Sequence, residues 1–173
     1  VNLKIILWKL AYLFLSFAIF MIDQTTKAWA VRRLRLGRDM EIIPGFLNLS
    51  YAQNTGVAFS MFDDYGEAGR WALSSVGILV GVLVLYYFWR FPRSNDRLFG
   101  ALALLLGGIA GNVVDRIRFG FVIDFIDFYV GSWHYPTFNV ADVAIVAGAV
   151  LLIWDIYASK KEEAEIKKDN SVR

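Results

Sequence analysis

Four stretches of this chain are almost empty of charge, and they constrain the fold more than any motif does. Residues 5–22 are interrupted only by Lys9, residues 71–89 and 98–114 carry no charge, and residues 138–154 carry only Asp142. A helix rises about 1.5 Å per residue, so each stretch is near the minimum that crosses a hydrocarbon core about 30 Å thick. The spacing predicts four transmembrane helices in a single domain over residues 1–173, with each helix running a turn or more past these limits. The 57% hydrophobic content agrees, since soluble domains lie nearer 45–50%. Trp8, Trp29, Trp71, Trp89, Trp133 and Trp154 all fall near span ends, where an interfacial aromatic belt belongs.

Four spans put both termini on one side. Lys4, Lys9, Arg90, Arg93, Arg97 and the five basic residues of the C-terminal tail then share that side, ten against eight opposite, which points to cytoplasmic termini. The first span has a second reading as a cleavable secretory signal ending at Ala28-Trp29-Ala30, but Lys27 and the arginines from Arg32 to Arg38 fit such a site badly. The tail from Lys160 to Arg173 reads as a helix end or a solvated extension. Residues 39–62 carry a strand pattern, Phe46-Leu47-Asn48-Leu49-Ser50-Tyr51, between the turn signals Pro44-Gly45 and Asn54-Thr55-Gly56. This predicts a small sheet on the outer face. Residues 120–135 are too apolar for a free loop and are expected to lie in the interface, partly as a helix.

Composition narrows the chemistry. There is no cysteine, which removes disulfides, thiolate catalysis and Cys-ligated metals. The single histidine, His134, lies between Trp133 and Tyr135 and reads as interfacial; one histidine cannot build an H-E-x-x-H zinc site. A net charge of +2 with dispersed basic residues gives no footprint for nucleic acid. Gly107, Gly108 and Gly111 read as close helix packing, because no strand precedes them and no Walker lysine follows.

Carboxylates remain. Charges cost about 2.5–3.5 kcal/mol at a bilayer centre even on lenient scales, so they are kept mainly where they work. Asn112 and Asp115 close one span, and Asn139 and Asp142 open another, with the same Asn-x-x-Asp spacing. Residues three apart share a helix face, and antiparallel spans bring both units to one membrane face, where Asp124 joins them. Paired carboxylates in a poorly solvated place share a proton, which lets one take a proton from water while the other gives one to an amide. Taken alone, the echo pairs Asp115 with Asp142. Polar glue between helices explains the same residues, and Asp115 is the acid most exposed to that reading because Lys27, Arg116 or Arg118 could neutralise it. Asp23 and Lys27, four apart and acid first, read as an ion pair anchoring the end of the first helix.

Five stretches together resemble one family. They are Asp23-Gln24-x-x-Lys27, Asn54-Thr55-Gly56-Val57-Ala58-Phe59, Gly107-Gly108-x-x-Gly111-Asn112-x-x-Asp115-Arg116, Val122-Ile123-Asp124-Phe125-Ile126 and Phe138-Asn139-Val140-Ala141-Asp142. In this order they resemble signal peptidase II, the family of bacterial lipoprotein signal peptidases, with no departure at a functional position. The resemblance implies an all-α integral membrane protein of four transmembrane helices, with a small extracytoplasmic β-cradle and an interfacial helix between helices 3 and 4. It implies Asp124 and Asp142 as the catalytic pair, in place of the pairing the echo suggests. It implies Asn54, Asn112, Arg116 and Asn139 as substrate-binding residues, with Asp23, Lys27, Gly56 and Asp115 in support, and no metal or cofactor. The implied substrate is a diacylglyceryl-modified prolipoprotein cleaved before its lipidated cysteine. The implied setting is the bacterial cytoplasmic (inner) membrane, as a monomer among lipid, with the site toward the outer face and cyclic peptide inhibitors as further ligands. A proton-coupled carrier or a helix scaffold with intramembrane carboxylates remains the alternative by composition.

Overall fold

A span surrounded by hydrocarbon must satisfy every backbone N–H and C=O within itself, and the helix does so. In the computed structural model, which describes residues 3–35, 37–56, 66–91 and 95–172, each predicted span is a helix: α1 (Leu3–Arg33), α2 (Gly66–Arg90), α3 (Asp96–Phe119) and α4 (Val140–Val172). All four are long and apolar enough to cross a membrane. Their outward faces carry large apolar side chains, Phe14, Leu79, Val146 and Tyr157 among them, and Trp29, Trp71, Trp89, Trp133 and Trp154 are exposed as a belt requires.

The helices exceed the predicted stretches because their ends are satisfied by specific partners. The Asn95 side chain accepts from the N–H groups of Arg97 and Leu98 and starts α3; Gly120, at φ 87°, ends it in the left-handed conformation. Arg70 of α2 donates to the carbonyls of Arg116 and Ile117 at the same end. Lys9, the one charge inside the first apolar stretch, is buried. Its Nζ donates to the carbonyls of Phe88, Trp89 and Phe91 at 2.9–3.1 Å and closes α2. A cation belongs at a helix C-terminus, so this charge fastens α1 to α2.

α3 is the central helix, with α1, α2 and α4 packed around it. Its glycines permit the close approach. A Cβ on Gly107 would sit 2.6 Å from the Ser16 carbonyl of α1, and one on Gly108 would sit 2.5 Å from the Ala141 carbonyl of α4. Both neighbours are backbone, so a side chain at either position would force helices apart beneath the polar residues described below.

The sheet is antiparallel in the order β1 (Met40–Ile43), β2 (Leu47–Asn54), β3 (Val122–Val130), β4 (Trp133–His134). The small sheet predicted over residues 39–62 is present in β1 and β2; residues 57–62 and Arg93 lie outside the described residues. The helical form expected between the third and fourth spans is not what residues 122–130 adopt. They form β3, because β2 offers a free edge and this run of β-branched and aromatic residues pairs along it from Leu47↔Phe128 to Asn54↔Val122. Phe125 of this strand packs with Ala30 and Leu34, tying the sheet to α1. Of the two readings of the tail, a helix end or a solvated extension, the structure has the first: α4 continues to Val172.

Candidate active site

The chain enters α4 through one residue that touches both implicated acids. Phe138 exchanges backbone hydrogen bonds with Ile126 and accepts from Phe125 N–H, which pins Asn139 beside Asp124. Asn139 then caps α4. Its Oδ1 accepts from Asp142 N–H at 2.9 Å, and Asp142 Oδ2 accepts in return from Asn139 N–H at 3.2 Å. This reciprocal pair is a capping box, so the Asn-x-x-Asp spacing here serves the helix start as well as the site. Asn139 therefore stands just outside the helix, where the repeated spacing placed it within one. Its Nδ2 donates to Asp124 Oδ1 at 2.6 Å. Asp124 and Asp142 thus meet at one fully buried residue, whose side-chain amide holds the first carboxylate and whose backbone N–H holds the second.

Each acid has a second amide. Asn54 Nδ2 donates to Asp124 Oδ2 at 3.0 Å, and Asn112 Nδ2 donates to Asp142 Oδ1 at 2.7 Å. The sheet register explains the first contact: Ala52 lies opposite Asp124, so Asn54, two residues on, is its diagonal neighbour on the same face. Burial, followed by the charge of Asp142, pushes the Asp124 carboxyl up to about 7. The Asn54 and Asn139 donors and the Lys27 cation pull the other way without overcoming these.

Lys27 lies beneath the acids. It is 1% exposed, and its Nζ is 2.9 Å from Asp23 Oδ2, Asp115 Oδ2 and Asn112 Oδ1. The predicted Asp23–Lys27 ion pair is present, but it does not mark the end of α1, which continues to Arg33. Asp23 Oδ1 accepts from Ala141 N–H in the first turn of α4, and Asp115 accepts from Ile123 N–H and from Gln24 Nε2. Asp115 therefore faces Lys27, and of the Asn112/Asp115 unit it is Asn112 that reaches Asp142. The pairing of Asp115 with Asp142 suggested by the echo is not what the chain forms. Gln24, absent from the sequence-based list of site residues, is a member of this network.

Arg116 completes the ring. Its Nη2 donates to the Gly56 carbonyl at 3.2 Å, and its Nε is buried with no partner among the described residues. Asp127, three residues beyond Asp124, is directed elsewhere. Both its oxygens lie 2.9 Å from His134 Nδ1, and the histidine is at the surface. No cluster of three or more His, Asp or Glu residues among the described residues could hold a metal ion.

Comparison with known proteins finds relatives over most of the chain. A family model described as Signal peptidase (SPase) II matches residues 15–158. The chain is 40% identical to a lipoprotein signal peptidase of Yersinia enterocolitica, over 92% of this chain and 94% of that one. It is 39% identical to a lipoprotein signal peptidase of Alteromonas mediterranea, over 90% of this chain and 85% of that one. A solved bacterial membrane enzyme structure at 2.3 Å superposes with a TM-score of 0.78 at 27% identity, covering 88% of this chain and 90% of that one. A second, at 1.9 Å, gives 0.74 at 28% identity, covering 84% and 92%.

Proposed function

This chain belongs to the signal peptidase II family, and on that premise we propose that it is an aspartic endopeptidase that removes the signal peptide from diacylglyceryl-modified prolipoproteins. It is a protease of a multi-pass membrane fold, consistent with the bacterial inner membrane. The observation that carries the aspartic reading is the meeting of Asp124 and Asp142 at Asn139, with a separate amide donor holding each acid.

Asp124, whose carboxyl is pushed up to about 7, begins with the proton. Asp142, which accepts two N–H groups, takes a proton from a water held between the acids as the water adds to the scissile carbonyl. Asp124 protonates the carbonyl oxygen. As the tetrahedral species collapses, the proton on Asp142 passes to the departing amine of the lipidated cysteine, and Asp124 takes back a proton from a hydroxyl as the new carboxyl forms. Arg116, with a buried donor left over, and the amides of Asn54 and Asn112 suit a peptide backbone. The acyl chains of the substrate stay in the bilayer, the site faces the outer side and the termini face the cytoplasm.

The test is incubation of the purified protein with a lipidated precursor peptide, with and without a chelator. Cleavage before the modified cysteine that survives chelation supports the reading; absence of cleavage, or cleavage lost on chelation, contradicts it. A carrier or scaffold would leave the precursor intact. The proton assignment also fixes the pH dependence. Asp124 must be protonated to act, so kcat falls as pH rises through about 7. It falls again on the acid side, once the pair holds two protons. A rate that is flat from pH 5 to pH 9 would contradict the shared proton.

A further inference from the structure

α2 and α4 each pack on α3 but scarcely on one another, which leaves a groove floored by α3. One face of α3 and one face of α4 each run from a residue of the site toward the far end of the bundle. On α3, Leu98, Leu102, Leu105, Ile109, Asn112 and Arg116 alternate at spacings of four and three; on α4, Asp142, Ile145, Ala149, Leu152, Ile156 and Ser159 do the same. Such spacing keeps residues on one face of a helix. At the far side of the bundle the three helices line a cavity of about 990 Å³, with leucines at its inner end and charged residues at its mouth.

The mouth holds three carboxylates, Asp96, Asp155 and Glu162, and two cations, Arg97 and Lys160. Arg97 is engaged by Asp155 at 3.4 Å and by Glu162 at 3.3 Å. Asp155 is buried and also accepts from Asn95. Asp96 accepts from Trp8 Nε1 at 3.1 Å and Tyr12 Oη at 2.9 Å, donors that carry no charge. The wall therefore has a carboxylate in excess at an exposed position of α3.

Length connects this end to the chemistry. Asp142 and Asp155 are separated along α4 by about 20 Å, at roughly 1.5 Å per residue. The apolar segment of a signal peptide is about 7–15 residues, which as a helix covers roughly 10–22 Å and carries a basic region at its N-terminal end. With the scissile bond at Asp124 and Asp142, the basic region reaches the cavity mouth.

We propose that the cavity between α2, α3 and α4 at the end opposite the acids receives a lysine or arginine from the N-terminal region of the bound signal peptide, with Asp96 as its principal partner. The inference rests on the peptidase reading. It makes the protein measure its substrate at two points, the scissile bond and the start of the apolar segment.

The test uses the full-length protein in phosphatidylethanolamine vesicles, with lipidated precursors that differ only in carrying lysines or glutamines before the apolar segment. Asp96→Asn keeps an oxygen acceptor for Trp8 and Tyr12 and removes the charge. KM for the lysine precursor rises about fivefold in the variant while kcat holds, as expected for one partly exposed ion pair. The glutamine precursor shows the raised KM with either protein, so the two changes are not additive. Asp96→Gln, which also keeps an oxygen acceptor without the charge, carries the same contrast if Asp96→Asn does not fold. Equal effects on both precursors, or no effect on either, overturn the proposal. An effect that follows added phosphatidylglycerol and ignores the precursor charge also overturns it and makes the cavity a lipid site. A wild-type protein that cleaves neither precursor removes the peptidase reading itself, and this inference with it.

Discussion

Asp124→Asn and Asp142→Asn each lower cleavage of a lipidated precursor by about a thousandfold or more, the loss expected when a general acid or base is removed. Both variants still accumulate as folded protein. For Asp124 this follows from the sign of its titration. Its carboxyl is raised from 3.8 to about 7, so between those values the folded chain holds a proton that the unfolded chain has released. Stability therefore falls as pH rises from about 4 to about 7, and the cost stays in full above that. A neutral asparagine removes the cost, and at pH 8 Asp124→Asn unfolds at no lower temperature than the wild type. Asp127→Asn is the matching control, because that carboxylate faces His134 and not Asn139. It keeps most of the activity. Rates on the precursor and melting temperatures in detergent check all three, and substantial turnover by either Asp124→Asn or Asp142→Asn refutes the assignment.

Lys27→Met produces the largest loss of stability, about 3–5 kcal/mol, the range for breaking a buried ion pair by removing one partner. Asp23 and Asp115, both essentially without solvent, then face each other with no cation between them. Asn112 loses a donor at the same time, and with it one constraint that turns its Nδ2 toward Asp142. Adding Asp23→Asn and Asp115→Asn to Lys27→Met restores much of the melting temperature, because a buried ionic cluster exchanged for neutral groups is often nearly neutral in stability. Melting temperatures of the single and triple variants check this. A triple variant less stable than Lys27→Met alone would show that the three residues do not act as one charge cluster.

The membrane architecture was legible because hydrocarbon imposes its demand residue by residue, and four uncharged runs have one economical solution. The helix limits were not. Lys27 reads as a charge that should end a span, and only the tertiary structure reveals that Asp115 and Asn112 wait for it inside the bundle. Lys9 reads only as an interruption of the first span, and it closes α2. The strand at residues 122–130 was missed because Asp124 and Asp127 interrupt its apolar run at a spacing of three, which leaves no strand period of two; the deciding fact was the free edge of β2, far away in sequence. The two Asn-x-x-Asp units suggested a symmetry that the chain does not have. One is a capping box at the start of α4, and the other divides its residues between Asp142 and Lys27. The capping role was readable locally, since an amide three residues ahead of an acid before an apolar run is a known helix start. The cavity at Asp96 was not legible, because only the packing of α2 and α4 on α3 creates it.

The central claim is that Asp124 and Asp142 hold one proton between them, and carbon NMR of selectively labelled carboxylates measures it directly. Asp124 should titrate near pH 7 in the wild type and move toward lower pH in Asp142→Asn, once the neighbouring charge is gone. An Asp124 that titrates near pH 4, with no response to the loss of Asp142, would mean that the two acids do not act as a pair.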